Sequence, residues 1–195
     1  PEPVFSKATY LDDLDGNGIE ITLETPWRVK EVRNGPSGIE LIDEEGLARP
    51  GVGHLDMQET MSHLAEKEMR PLKPGTWIGH VHVHVNDIEA ARVFYSDLLG
   101  YPVGMDWSFM GMLDVHFEGE FEHRIAFNGW QGPGATQRPE GTVGLRYFTL
   151  VLPGQEELDA TLLRLAAAGV KAEPRDGGQM VADPSGNRVL LVAKG

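Results

Sequence analysis

Asp13-Leu14-Asp15-Gly16-Asn17-Gly18-Ile19-Glu20-Ile21, near the start of the chain, returns near its end as Asp183-Pro184-Ser185-Gly186-Asn187-Arg188-Val189-Leu190-Leu191. An Asp-x-x-Gly-Asn turn feeding an apolar strand, used twice, is the mark of a duplicated supersecondary unit. The copies differ at one chemically telling position, where Glu20 of the first stands against Leu190 of the second. If the strand after this turn carries a metal ligand, only the first copy supplies a carboxylate.

The second copy closes a regular stretch that begins at Trp77. Ile78 to Val85 is a β-branched run with His at every second residue. Asn86-Asp87 then caps a helix whose apolar face is Ile88, Ala91, Tyr95 and Leu98, stopping at Gly100. The same order recurs: Leu145 to Leu152 predicts a strand, Leu158, Leu162, Leu165 and Ala166 share one helix face, and Gly169 stops it. Short strands follow each helix, first around Val103, Met112 to Phe117 and Arg124 to Phe127, then around Lys171, Gln179 to Ala182 and Arg188 to Val192. Both units read as βαβββ, with modules over 77–135 and 136–195. Strands outnumber helices by about four to one, which excludes a doubly wound sheet and favours an α+β fold of paired modules whose mixed sheets curl around a shared cup.

The first copy of the turn has less around it. Residues 1–27 read as strand, turn, strand, the C-terminal remnant of a preceding module. Pro26 to Pro50 mixes Gly, Pro and acidic residues with short apolar stretches, as a connector does. Leu55, Met57, Met61, Leu64 and Ala65 predict a linker helix over 55–69, so that 28–76 joins the remnant to the modules. A start at Pro1 without an initiating Met reads as a processed chain or a fragment.

Composition narrows the chemistry. The chain has 195 residues, 41% of them hydrophobic, and no apolar run long enough to cross a bilayer. With no targeting segment either, a cytoplasmic location is expected. Cysteine is absent, so a metal has only nitrogen and oxygen ligands to use. A formal charge of −13 without any Lys/Arg cluster argues against nucleic acid, and its ordinary meaning is solubility.

His80, His82 and His84 alternate with Val81, Val83 and Val85, so the imidazoles share one face and the valines the other. With the valines packed, the histidines line solvent or a polar cavity. In Glu122-His123-Arg124-Ile125-Ala126-Phe127-Asn128, strict alternation puts His123 on the face of Ile125 and Phe127, where a histidine is ordinarily a satisfied core residue. The competing reading places His80 and His123 on two strands of one sheet beside Glu20 on a third. Two neutral imidazoles and one carboxylate then leave half of an octahedral metal's positions open for a bidentate substrate and dioxygen.

Ile78-Gly79-His80-Val81-His82-Val83-His84-Val85-Asn86-Asp87, Glu122 to Gly132, Gly144 to Pro153 and Asp183 to Asn187 resemble the vicinal oxygen chelate superfamily. Within it they are most similar to the four-module, catechol 2,3-dioxygenase-like proteins. The resemblance implies that His80, seven residues before the capping Asp87, is a metal ligand, that His123 is the second, and that Glu20, four residues after Gly16, is the third. It implies Fe(II) or Mn(II), a catechol-type aromatic diol and dioxygen as reactants, and ring cleavage beside the diol. His82, His84 and Tyr147 are the candidate bases for the diol proton, and Phe109, Met110, Met112 and Trp130 are candidates to line the cup. Asn128 and Trp130 match a conspicuous stretch of the family without a role that the residues themselves explain.

Departures from the family pattern are as informative. Tyr147 stands where a His is frequent and Leu190 where a Glu is, so the last module offers no ligand. Modules pairing in chain order would set His80 and His123 opposite Tyr147 and Leu190. Pairing with the truncated module sets them opposite Glu20, and this is favoured because it explains why Glu survives only in the first repeat. A four-module relative has a complete first module and the start of a second ahead of Pro1, so a homodimer or a complex with the missing N-terminal segment is expected. Rival readings are a glyoxalase-like isomerase using metal-bound water, and a bleomycin-resistance-like protein that binds a small molecule without turnover.

Overall fold

The structure, a computed structural model, describes residues 6–35, 38–49, 55–62, 71–72, 74–117, 123–135, 139 and 141–195. The chain divides between Gly75 and Thr76 into two compact units. No helix among the described residues is long and apolar enough to cross a membrane.

In the first unit, β1 (Ser6–Asp12) and β2 (Gly18–Glu24) form an antiparallel hairpin in continuous register from Ser6↔Glu24 to Asp12↔Gly18. Asp13 organises the turn: its Oδ1 accepts from the Asp15 and Asn17 amides at 2.9 and 2.8 Å, and its Oδ2 from Asn17 Nδ2 at 2.8 Å. Gly16 supplies the left-handed residue at φ +77°. Asp183 repeats every one of these bonds to Ser185 and Asn187, with Gly186 at φ +81°. The sequence repeat is therefore a repeat of one hydrogen-bonded turn.

Residues 26–50, expected to run as a connector, instead contain an antiparallel three-stranded sheet of β3 (Val29–Gly35), β4 (Gly38–Asp43) and β5 (Ala48–Arg49). Its β4–β5 turn, Asp43-Glu44-Glu45-Gly46-Leu47, is a third copy of the same device. Asp43 Oδ1 accepts from the Glu45 and Leu47 amides, and Arg49 Nε takes over the Asn side chain's bond to Oδ2 at 2.6 Å. A search for Asp-x-x-Gly-Asn passes over it because the fifth residue's essential contribution is its backbone N–H. The linker helix, α1, starts at Met57 rather than Leu55 and runs to Ser62; residues 63–69 of the expected helix lie outside the described residues.

The second unit holds both βαβββ modules. The first is β6 (Val81–His84), α2 (Ile88–Arg92, continued by a π-helical turn over Val93–Leu98), β7 (Val103–Trp107), β8 (Met112–His116) and β9 (His123–Asn128). The second is β10 (Phe148–Leu152), α3 (Gln155–Ala167), β11 (Glu173–Arg175), β12 (Gly178–Ala182) and β13 (Arg188–Ala193). Their sheet orders correspond strand for strand, β6-β9-β8-β7 and β10-β13-β12-β11. In each, the first strand pairs in parallel with the last and the other pairs are antiparallel. A parallel pair needs a crossover connection, which is why each module spends its one helix directly after its first strand. Asp87 caps α2 as expected, accepting from the Ala90 amide at 2.9 Å. Strands β6 and β10 are shorter than the β-branched runs suggest, so His80 and Tyr147 each stand one residue ahead of a strand.

One hydrophobic core serves both modules: Val83, Val85, Phe94, Tyr95, Leu113, Val115, Ile125 and Phe127 pack with Leu150, Leu165, Val189 and Leu191. The Asp183 turn adds a polar clamp. Tyr95 Oη donates to Asp183 Oδ2 at 3.0 Å, Ser185 Oγ donates to Asn86 Oδ1 at 2.7 Å, and Asn187 Nδ2 donates to the His84 carbonyl at 2.9 Å. The clamp thus grips the end of the histidine strand. Burial raises both the Tyr95 hydroxyl and the Asp183 carboxyl above their ordinary values. Tyr95→Phe removes one of the carboxylate's donors and is expected to cost about 1–2 kcal/mol by calorimetry; an unchanged melting temperature would show that the bond contributes nothing to holding the modules together.

Candidate active site

Val83 and Val85 are buried in the core, and His82 and His84 are exposed on the opposite face of the sheet, as the alternation requires. His123 departs from alternation. Val115 pairs with Ile125 but His116 pairs with His123, so Arg124 is an extra residue in β9. A bulge of this kind re-aims the side chain beside it. His123 is thereby taken off the Ile125/Phe127 face that strict alternation predicts. Its ring lies 4.4 Å from that of His80, centroid to centroid, tilted by 52°.

The bulged residue also steadies the partner. Arg124 Nη1 donates to the Gly79 carbonyl at 3.2 Å, and its guanidinium lies 4.6 Å over the Trp77 ring. The segment leading into β6 is held by the same residue that turns His123.

Behind His123 stands Asp114, which the sequence reading did not select. Asp114 pairs with Ala126 across the ladder and is 1% exposed. Its Oδ1 accepts from the Met105 amide at 2.9 Å. Its Oδ2 is buried with no hydrogen-bond partner among the described residues, and lies 3.8 Å from His123 Nδ1. Burial pushes its carboxyl up to about 6, against the opposing pull of the Met105 N–H and of His116 and His80. A side chain at residue 104 would put its Cβ 2.2 Å from Asp114 Oδ1, so Gly104 is what admits this carboxylate. The signal available in sequence is a lone acid in Leu113-Asp114-Val115, between two core residues.

His82 and His84 are joined through Asn128, itself 2% exposed: His84 Nδ1 and Asn128 Oδ1 are 2.8 Å apart, as are Asn128 Nδ2 and His82 Nε2. The Trp130 ring lies 6.2 Å from that of His82, and its Nε1 donates to the Met110 carbonyl at 2.9 Å. Trp130, Phe109 and Met110 are exposed, so they form an apolar rim rather than core.

The remaining two candidates are Glu20 and Tyr147. Glu20 lies on β2 of the first unit, half-buried, and accepts from Tyr10 Oη at 2.9 Å. Tyr147, in the second module, donates to Asp176 Oδ2 at 3.3 Å and carries the guanidiniums of Arg146 and Arg175 at 5.3 and 5.8 Å from its ring. Among the described residues, no group of three or more His, Asp or Glu gathers at metal-binding distances. The first module contributes instead a pair of imidazoles with a buried carboxylate behind one of them.

Two corresponding βαβββ modules, each with its first strand laid parallel to its last, define the vicinal oxygen chelate class. Residues 77–191 match the family model described as the Glyoxalase/Bleomycin resistance protein/Dioxygenase superfamily, and the chain belongs to that superfamily. It is 35% identical over 191 residues to a catechol-2,3-dioxygenase of Bacillus subtilis (strain 168), a match covering 96% of this chain. The chain spans 62% of that relative's length. Similar solved structures include a lactoylglutathione lyase from Agrobacterium tumefaciens, at 19% identity and TM-score 0.47, covering 62% of this chain and 96% of that one. Another is a glyoxalase/dioxygenase from Nostoc punctiforme, at 15% identity and TM-score 0.49, covering 66% and 99%.

Proposed function

We propose that this chain takes part in extradiol cleavage of a catechol-type diol, with Fe(II) or Mn(II) held by His80, His123 and Glu20. The adjacency of the His80 and His123 rings is the observation that carries this reading. The donor chemistry fits: without cysteine, two imidazoles and a carboxylate are a nitrogen and oxygen set suited to these ions, with positions left open. When bound, such a metal supplies Lewis-acid stabilisation and brings diol and dioxygen together.

The protein's own groups do the rest. Asp114, a buried carboxylate 3.8 Å from His123 Nδ1, stands ready to take up the N–H of a ligating imidazole. His84 or His82 accepts the diol proton. Trp130, Phe109 and Met110 offer flat and pliable apolar surface to an aromatic ring.

Oxygen uptake with catechol, measured alongside metal content, is the test. Iron or manganese with uptake supports ring cleavage. A non-redox metal without uptake supports an isomerase instead, and no metal at all a binding protein. We further propose that the β1–β2 hairpin, whose Tyr10, Leu11, Ile19, Ile21 and Leu23 are exposed, is covered by a second copy or by a preceding segment. A monodisperse monomer by light scattering would count against this.

A further inference from the structure

The stretch Phe127-Asn128-Gly129-Trp130 has a structural logic that leads to a role. Trp130 is anchored by its indole N–H to the Met110 carbonyl, and its backbone N–H donates to Asn128 Oδ1 at 3.2 Å. A backbone N–H only donates, so the amide atom it meets is the oxygen, and the orientation of the Asn128 carboxamide follows. Oδ1 only accepts, so His84 Nδ1, 2.8 Å away, carries a hydrogen. Nδ2 only donates, so His82 Nε2, also 2.8 Å away, presents a lone pair. One buried amide therefore imposes opposite roles on two imidazoles.

We infer that Asn128 is a positioning residue that sets the tautomers of His82 and His84, leaving the Nε2 lone pair of His84 open and that of His82 occupied. Both rings are Nδ1–H tautomers, but they differ in what remains to them. The Nε2 lone pair of His82 is committed to Asn128. That of His84 is not, because His84 meets Asn128 through its protonated Nδ1. The tautomers do not depend on the dioxygenase reading.

The test is long-range 1H–15N correlation on the full chain with labelled histidine at about pH 8, above the ordinary imidazole range, the rings assigned with His82→Gln and His84→Gln. The expected result is Nδ1–H at both. In Asn128→Asp the side chain still accepts from Trp130 and His84 but has no hydrogen for His82. His82 should then switch to Nε2–H while His84 stays as it is. A residue that merely supported the fold would not invert one ring and spare the other. Nε2–H at either ring of the unmodified protein, or an unswitched His82 in a folded Asn128→Asp, overturns the inference; the first of these does not depend on the variant folding.

Discussion

His80→Ala and His123→Ala are each expected to lower metal-supported oxygen uptake with catechol by more than about a hundredfold, with the far-ultraviolet circular dichroism unchanged. The size of the effect follows from what each ring contributes. Their centroids are 4.4 Å apart, so each variant leaves one imidazole where two stood together. The loss of a second-layer partner alone typically costs 10 to 100-fold in affinity or activity, and a ligand is worth more. The fold should survive because neither ring belongs to the shared core, which lies on the Val83 and Phe127 side of the sheet. Asp114→Ala should fall between these variants and the unmodified protein, weakening metal binding by roughly 10 to 100-fold in an equilibrium titration. Full activity in either histidine variant would remove the histidine pair from the account.

Phe127→Ala is the largest expected loss of stability. Phe127 is fully buried, lies opposite both Val83 and Leu113 in the ladder, and stacks on Tyr95 at 5.2 Å with a 24° tilt. Truncation removes the transfer energy of the ring and leaves a cavity in close-packed surroundings, together about 3–5 kcal/mol. For a unit of this size that is roughly 10–20 °C in melting temperature. Tyr95 would lose its stacking partner while still bonded to Asp183, so the clamp between modules should loosen as well. Phe127→Leu, which refills much of the space, should recover part of the loss. A fall of less than about 1 kcal/mol would mean that the core relaxes around the gap.

The module pattern was legible because it rests on period and punctuation. Alternating Val and His, the Asp87 cap, the Gly100 and Gly169 stops and the duplicated Asp-x-x-Gly-Asn turn each have one dominant local conformation, and tertiary packing reinforces them. Four things were not legible. The β9 bulge that re-aims His123 is a matter of pairing between Val115, His116, Ile125 and His123, and alternation within one strand predicts the wrong face for His123. The sheet over 29–49 was masked by Gly, Pro and acidic residues, and its Asp43 turn by the Leu47 that replaces Asn. Asp114 looked like one acid among 30 Asp and Glu in an acidic chain until its burial behind His123 was seen. The relation of Asn128 to His82 and His84 spans more than forty residues and belongs to the fold alone.

The most direct test of the account is metal content by mass spectrometry on protein purified without chelator or affinity nickel, compared with His123→Ala and Glu20→Ala. Near-stoichiometric iron or manganese in the unmodified protein, lost in both variants, is the predicted result. Metal retained in Glu20→Ala would contradict the assignment of Glu20, and a metal-free unmodified protein would contradict the metal centre itself.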